Sequence, residues 1–512
     1  MSKRGRRTSD VTTPAPKPPR RPGARGWWQP GAGGVNVVQP VDEFRGTTVQ
    51  VCGLWPYSVG AGTPMVGVPL GLNLINGATV CADPISWFQH GLIGNPSVFV
   101  LGLPGLGKST IIRRMAAGGA AFGSLPLVLG DLKPDYVDLI EAMGGQVIQL
   151  GRGRGHLNVL DPGEATEAAE RLRKAGKEKE RLQVLADAHG RRHTMVSALL
   201  TILRKEPPTD REESIIDRAL KVLDEKHKGV PVLGDLLKVI QDAPQEIRDV
   251  ALDRGDDARY KAITENLEAS LISLTSGGRL GETFANATDV PMMRDRPVVY
   301  DVSSIDDSDT DLQAAILLAC WSAGFGTVNV ANALADAGLE PRRHYFVILD
   351  ELWRALRAGR GMVDRVDALT RLNRQRGVGL AMISHTMSDL LALPSEEDRM
   401  KARGFVERAG MVIAGGLPNA EMPMLTQAVP LSRAEQELLT SWQDPPAWDS
   451  STGREAEPPG RGRFLVKVGG HPGTPLRVQL MPMELDVNDT NRMWHPAAQA
   501  PELALVDESA DA

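Results

Sequence analysis

Short apolar runs, separated by segments with helical spacing, recur along two stretches of this 512-residue chain. Runs of this length are typical of buried strands, and their alternation with helices is typical of a parallel sheet covered by helices. The pattern therefore predicts an α/β fold with a mostly parallel sheet. The predicted strands span residues 98–101, 125–131, 147–150, 297–302, 345–349 and 378–384.

The pattern changes between residues 164 and 280. Strand signals are few there, charged residues are frequent, and apolar residues recur at helical spacing, as at Val196, Leu199, Leu200 and Leu203. We interpret this stretch as an all-helical subdomain inserted into the α/β core. A shorter amphipathic helix is predicted over 312–323, after the core resumes.

Both ends of the chain differ from the core. Residues 1–26 hold eight basic residues against one acid among many prolines, which indicates a disordered basic arm that either contacts DNA or anionic lipid or only keeps the terminus soluble. The predicted organisation is a basic N-terminal arm (1–45), a β-hairpin region (46–95), the first part of the core (96–163), the helical insertion (164–280), the second part of the core (281–440), a small C-terminal strand unit (441–495) and an acidic flexible tail (496–512).

Composition predicts a soluble intracellular protein. The hydrophobic content is 42%, and no window approaches the roughly 18 uninterrupted apolar residues of a membrane helix. The three cysteines are scattered without any C-x-x-C pair, which suggests a reducing compartment. With a formal net charge of −6, the chain as a whole lacks the excess of positive charge that is typical of proteins that bind nucleic acid. Any contact with DNA would therefore be local.

The segment GLPGLGKS at residues 102–109 is the pattern G-x-x-x-x-G-K-[ST], and it lies between a predicted strand and a predicted helix. Glycines let successive N–H groups turn inward toward an anion, and the helix start adds partial positive charge. A triphosphate fits that cradle, with Lys108 on the β- and γ-phosphates and Ser109 on Mg²⁺. The predicted nucleotide-binding residues are Gly102, Pro104, Gly105, Leu106, Gly107, Lys108, Ser109 and Thr110.

A second apolar run, residues 345–349, ends in Asp350 and Glu351. Ligand sites of open α/β sheets lie at the carboxyl ends of the strands, so both acids are expected beside the glycine loop. Asp350 is the predicted partner of Mg²⁺, and Glu351 is the predicted base that orients and deprotonates the attacking water. The structural alternative is that Asp350 and Glu351 only begin the next helix, where acids interact favourably with the helix dipole.

Arginines cluster immediately before the strand at 378–384. Such a run is often a solvated face. In ring-forming ATPases, however, one arginine enters the neighbouring subunit's site and offsets the charge of the transition state. Arg374 and Arg376 are the candidates for this role.

The ordered set of motifs resembles the ATPases of conjugative type IV secretion systems, the VirB/TraC type of the HerA/FtsK superfamily. The resemblance covers about residues 50–490 and rests on the glycine loop, the segment GDLKPDY at 130–136, the segment LNVLDP at 157–162 and the element DELW at 350–353. It implies a RecA-like P-loop core, ATP and Mg²⁺ as cofactors, and a hexameric ring. One departure is His385, which stands where the family typically has a sensor glutamine; a neutral histidine can also donate and accept hydrogen bonds.

The resemblance implies ATP hydrolysis that powers conjugative DNA transfer or assembly of the transfer apparatus. Its expected partners are other copies of the chain and proteins of that apparatus, with DNA as a further candidate. The expected location is the cytoplasm, with peripheral attachment to the inner face of the cell membrane as an option. Two alternatives stay open: a DNA translocase of the HerA/FtsK kind without a secretion channel, and a nucleotide-gated scaffold with little turnover.

Overall fold

The structure of the chain is a computed structural model, and it describes residues 64–275, 280–359, 362–370, 377–393, 395–445, 448–449, 454–455 and 457–487. The predicted N-terminal arm, the predicted acidic tail, and both Arg374 and Arg376 lie outside these residues.

One large sheet organises the described part of the chain. Its strands run through the two halves of the predicted core and through the hairpin and C-terminal regions. They are β1 (Pro69–Asn73), β2 (Thr79–Cys81), β3 (Ser97–Leu101), β4 (Ser124–Asp131), β5 (Gln146–Gln149), β6 (Val298–Asp301), β7 (His344–Leu349), β8 (Val378–Ile383) and β9 (Met411–Ala414), then a separate pair, β10 (Trp448–Asp449) and β11 (Arg454–Glu455), and finally β12 (Arg463–Lys467) and β13 (Thr474–Val478).

The strand order in this sheet is β2-β1-β13-β12-β9-β3-β8-β7-β4-β6-β5. From β9 to β5 every neighbouring pair is parallel, whereas β12, β13, β1 and β2 continue the sheet in antiparallel fashion. The prediction of a mostly parallel α/β sheet is confirmed. Strands β1 and β2 of the predicted hairpin region and β12 and β13 of the predicted C-terminal unit pair with the edge of the main sheet, whereas β10 and β11 of that unit form a two-stranded sheet of their own.

Helices cover both faces of the sheet and fill the long segment between β5 and β6. They are α1 (Pro84–Gln89), α2 (Lys108–Ala121), α3 (Val137–Ala142), α4 (Ala165–Lys174), α5 (Glu178–Arg204), α6 (Asp210–Lys226), α7 (Leu233–Gln241), α8 (Gln245–Ala251), α9 (Asp257–Thr275), α10 (Gly281–Phe284), α11 (Thr310–Asp336), α12 (Leu352–Leu356), α13 (Met362–Thr370), α14 (Met387–Leu391), α15 (Glu396–Glu407), α16 (Met422–Ala428), α17 (Arg433–Ser441) and α18 (Pro482–Val487).

The described residues between 164 and 280 form helices α4 to α9 and no strand. Their apolar faces are not isolated from the core, since Leu199 and Leu220 belong to the same buried cluster as Leu127 and Val347 of the sheet. The boundaries of an inserted subdomain therefore remain predictions, although the secondary structure over this stretch agrees with them.

Strand β3 shows how the sheet is buried on both faces. All five of its residues are buried. Because side chains alternate along a strand, Phe99 and Leu101 enter one hydrophobic cluster, and Val98 and Val100 enter the other. A parallel sheet needs this double cover, and it explains why the core strands read as continuous apolar runs.

Helix α11 is longer than the amphipathic helix predicted over 312–323. It has 27 residues, and most of its positions are buried, including Trp321 and Phe325. By length and composition it is the one described helix that could cross a membrane, but 83% of its most apolar window is buried inside the protein, and the core helix of a folded protein passes the same test. An apolar surface on all sides of the helix leaves no polar face, so a prediction from amphipathic spacing finds only part of it.

Gly324 of α11 provides a stability test. A Cβ on this residue would lie 2.4 Å from Cδ2 of Leu129, a buried side chain of β4 with little room to move. Gly324→Ala is expected to destabilise the fold by roughly 1–3 kcal/mol, as overpacking does. Gly190→Ala in α5 is the matched control: nothing lies within 4 Å of that Cβ, so the gain in helix propensity should stabilise by up to about 1 kcal/mol. Thermal unfolding midpoints that move in the same direction for both variants would contradict this packing.

Candidate nucleotide-binding site

The predicted site residues meet at one edge of the sheet. Strands β9, β3, β8, β7 and β4 are adjacent and parallel, so their carboxyl ends lie side by side. The glycine loop follows β3, His385 lies two residues after β8, and Asp350 and Glu351 follow β7. Ligand sites of open α/β sheets lie at this edge.

The glycine loop is fixed by its neighbours on both sides. The N–H of Gly102 donates to the carbonyl of His385 at 2.9 Å, and the N–H of Leu103 donates to the carbonyl of Gly416 at 3.0 Å. Gly107 has a φ of 97° at the start of α2, a left-handed conformation that favours glycine. The loop therefore opens directly into a helix N-terminus, where free N–H groups can receive a phosphate.

The loop also contacts the C-terminal strands. Leu106 is buried, and its carbonyl accepts from the N–H of Gly462 at 2.9 Å. Of the predicted nucleotide-binding residues, Gly102 and Leu106 support the loop, whereas the others face the cleft. Those that line it are Pro104, Gly105, Gly107, Lys108, Ser109 and Thr110.

The side chain of Lys108 forms hydrogen bonds with its own loop. Its Nζ donates to the carbonyl of Gly102 at 2.7 Å and to that of Leu103 at 3.2 Å. Burial lowers the pKa of this ammonium to about 8, because little water is left to stabilise its charge. The two carbonyls hold the flexible side chain at the entrance of the phosphate cradle.

Ser109 contacts an acid that the sequence analysis did not assign to the site. Its hydroxyl donates to Oδ2 of Asp135 at 2.8 Å. Behind Asp135, the buried Asp131 accepts from the backbone N–H groups of Asp135 and Tyr136. Burial raises the pKa of Asp135 and Asp131. The signal for both was in the sequence, since the strand at 125–131 ends in an acid at the same edge of the sheet.

Asp350 is half-buried at the end of β7. It accepts from the backbone N–H of Glu351 at 2.8 Å and from the hydroxyl of Tyr136 at 3.2 Å. Burial, together with the neighbouring Glu351 carboxylate, raises the pKa of Asp350 to about 7. A carboxylate in this setting would gain from a nearby cation.

Two described side chains donate to the carboxylate of Glu351, and a third nitrogen lies near it. Nζ of Lys133 lies 3.3 Å from Oε1, the indole N–H of Trp353 lies 2.5 Å from Oε2, and Nε2 of His385 lies 3.4 Å from the same oxygen. Burial alone would raise the pKa of Glu351, but the charge of Lys133 and the hydrogen bond from Trp353 act in the opposite direction, as a proton on His385 also would, and the net shift is downward. The carboxylate is thus kept ionised, as a group that accepts a proton must be.

His385 is brought next to Glu351, as its proposed sensor role requires. Burial lowers its pKa, so the imidazole is neutral at neutral pH. Its Nδ1 is buried and has no hydrogen-bond partner among the described residues. With Nε2 facing Glu351, the ring has one nitrogen left for another hydrogen bond.

A cleft of about 1750 Å³ opens above these residues. Its other walls come from the end of β1 and the loop after it, with Leu72 and Leu74, and from the C-terminal strands, with Arg461 just before β12 and Arg477 in β13. The volume is more than a nucleotide needs. Lys108, Lys133 and the two arginines are the cationic residues that line it, opposite a larger number of acids.

The residues at the cleft are compatible with Mg²⁺. The described residues contain no cluster of three or more histidine, cysteine or acidic side chains that could enclose a metal ion. Ser109 and Asp350 would then supply part of the ligand set, with Asp135 beside them, and phosphate oxygens and water would supply the rest, as is usual for Mg²⁺. Hard oxygen donors and a half-buried acid with a raised pKa fit this ion.

The fold and the site together define the class. A parallel sheet carries a glycine loop between strand and helix, and two acids end a neighbouring strand at the same edge. This is the arrangement of a P-loop protein with a RecA-like core.

Comparison with solved structures agrees with this class. No family model and no curated protein matches the sequence. VirB4 of Thermoanaerobacter pseudethanolicus matches with a TM-score of 0.57 and 17% identity, over 84% of this chain and 99% of that chain. The bacterial conjugative coupling protein TrwB matches with a TM-score of 0.48 and 12% identity in complex with sulphate, over 82% and 91%, and with 0.44 and 14% in complex with ADP and Mg²⁺, over 75% and 86%. The likeness to VirB4 confirms the fold that the sequence predicted.

His385 yields a prediction about pH. A neutral imidazole can both donate and accept, and burial lowers its pKa below the ordinary histidine value, so protonation of the ring in acid should lower turnover. The amide of His385→Gln should still donate and accept hydrogen bonds, but the variant should lose the fall in turnover that comes from protonation of the ring. Steady-state ATP turnover across the acid range is the measurement, and identical profiles for the two proteins would remove His385 from the site chemistry.

Proposed function

We propose that the protein binds ATP with Mg²⁺ and hydrolyses it, and that hydrolysis powers conjugative DNA transfer or the assembly of a type IV secretion apparatus. The observation that carries the proposal is the meeting of Lys108, Ser109 and an ionised Glu351 in one cleft. A protein that only binds nucleotide would not need an acid held ready to accept a proton. This argues against the nucleotide-gated scaffold.

The residues would act in sequence. Phosphate oxygens replace the carbonyls of Gly102 and Leu103 as partners of Lys108, whose charge then lies on the β- and γ-phosphates. The Ser109 hydroxyl, which donates to Asp135 here, would with Asp350 help to hold Mg²⁺, and the ion would offset phosphate charge when bound. Glu351 orients a water molecule toward the γ-phosphorus and takes its proton as the new P–O bond forms and the bond to the β-phosphate oxygen breaks.

The ring is part of the same proposal. A hexamer would let Arg374 or Arg376 of one subunit reach the cleft of the next and offset the charge of the transition state. Both residues lie outside the described part of the chain, so the support is their place in the sequence, after α13 and before β8.

The fold likeness to VirB4 and the ordered set of motifs support the proposed cellular role. We place the protein in the cytoplasm, docked on secretion or conjugation proteins at the inner face of the membrane, with DNA as a candidate ligand. A HerA/FtsK-type translocase uses the same motor, and a response of turnover to DNA separates a translocating motor from an ATPase that drives assembly.

Turnover of ATP tests the enzyme activity. The purified protein should hydrolyse ATP only with Mg²⁺. Lys108→Ala should lower the rate of turnover at least 100-fold, the order of effect expected when a positive charge that contacts the phosphates is removed. Lys238→Ala, at an exposed position of α7, is the control and should match the parent. Stimulation by single- or double-stranded DNA favours a translocating motor, whereas turnover indifferent to DNA favours a role in assembly. Equal rates in Lys108→Ala and the parent would refute the assignment.

Glu351→Gln tests the role of the base. The amide keeps the shape and cannot accept the proton, so ATP should bind and stay intact, and the protein should accumulate as ATP-bound oligomers. Nucleotide recovered after gel filtration and the mass of the complex in light scattering are the measurements. Glu225→Gln on the exposed face of α6 is the control. A scaffold without turnover would give the same nucleotide content in Glu351→Gln and in the parent.

A further inference from the structure

Trp353 lies two residues after Glu351, within the short helix α12. Its indole N–H donates to Oε2 of Glu351 at 2.5 Å. This is the shortest of the three distances given above between the carboxylate and nitrogen atoms of the described residues. The indole is half-buried and is not among the described residues that line the nucleotide cleft. It therefore contacts the proposed base from outside the described lining of the cleft.

The other two contacts of Glu351 are weaker constraints. The side chain of Lys133 is 57% exposed and reaches Oε1 at 3.3 Å through a flexible stem. Nε2 of His385 lies 3.4 Å from Oε2, near the limit of a hydrogen bond. An indole has only two side-chain torsions, so the Trp353 donor loses little entropy when it is fixed and restrains its acceptor more closely.

The backbone of Glu351 is itself unusual. Its φ is 51°, a left-handed conformation that costs a residue with a Cβ some free energy. Glu351 lies at the turn between β7 and α12, and this conformation fixes its backbone but leaves the side-chain torsions to its contacts. Without a donor behind it, the carboxylate could rotate about its own torsions away from the position of the attacking water.

Trp353 is itself held in place by two arginines. The guanidinium of Arg357 lies 4.6 Å from the ring centroid and that of Arg354 lies 4.9 Å from it, within the range of cation–π contacts. Arg357 also donates to the carbonyl of Asp389 at 3.1 Å through Nε. Arg354 pairs with Asp307 at 3.2 Å and contacts Gln313 of α11. The indole is thus tied to the segment that follows His385 and to the start of α11.

We propose that Trp353 is a positioning residue for hydrolysis: its indole N–H fixes the carboxylate of Glu351 in the orientation that receives the proton of the attacking water. The inference rests on the proposed function, in which Glu351 is the base. Trp353 acts on the chemical step through Glu351 and makes no contribution to nucleotide affinity.

Trp353→Phe removes the N–H and keeps an aromatic ring for the arginines. We expect kcat to fall about tenfold or more, because a hydrogen bond to a charged group is lost, and KM for ATP to stay within about twofold. Trp87→Phe is the matched control: the indole N–H of Trp87 donates to the carbonyl of Val66 at 2.9 Å, outside the cleft, so its loss should leave kcat unchanged. If Trp353→Phe proves unstable, Trp353→Met lacks the same donor and should show the same loss.

A double variant shows whether Trp353 acts through Glu351. In the Glu351→Ala background there is no carboxylate to orient, so adding Trp353→Phe should leave the residual single-turnover rate unchanged. A kcat in Trp353→Phe equal to that of the Trp87→Phe control, a change confined to KM, or a further loss in the double variant would each overturn the inference. If the parent itself lacks Mg²⁺-dependent turnover, the proposed function fails and this inference fails with it.

Discussion

The geometry of the site depends on the register of the parallel strands. The ladder of β3 with its neighbours continues past the ends of the strands, where the N–H of Ser384 donates to Val100 and the N–H of Gly415 donates to Leu101. The loop residues Gly102 and Leu103 then donate to the carbonyls of His385 and Gly416. A slip of one residue would turn every side chain to the opposite face, and burial on both faces prevents it.

Acids outnumber cations where these strands end. Asp131 and Glu351 are buried and Asp135 and Asp350 are half-buried, and the cations that act on them include Lys108, Lys133 and Arg113. The consequences differ between adjacent residues. Among the described residues the hydrogen-bond donors to the Asp350 side chain are neutral, and burial raises its pKa, whereas Glu351 faces Lys133 and Trp353 and its pKa falls. Neighbouring carboxyl groups with opposite shifts are prepared for different tasks, one toward a cation and one toward a proton.

Much of the fold could be predicted because its signals are local. The glycine loop carries its own strand and helix context, and the run that ends in Asp350 and Glu351 marks a strand edge. Helix α11 was only partly predicted, because burial on every side erases amphipathic spacing. The pairing of β12 and β13 with the main sheet was missed as well, since it joins strands distant in sequence. The contacts of Ser109 with Asp135 and of Glu351 with Trp353 were missed for a related reason, because both depend on side-chain orientation.

The glycine loop is held from three directions: by β8 through the carbonyl of His385, by β9 through that of Gly416, and by the C-terminal strands through the N–H of Gly462. Backbone hydrogen bonds of this kind do not need to break when a ligand arrives. The contacts that must change belong to two side chains, since Lys108 rests on carbonyls of its own loop and Ser109 rests on Asp135. Each of these contacts can be exchanged for a phosphate oxygen or for Mg²⁺ without moving the loop. A rigid cradle with two exchangeable side chains keeps the cost of reorganisation low for the proposed ligand, because the backbone of the loop is already held in place without it.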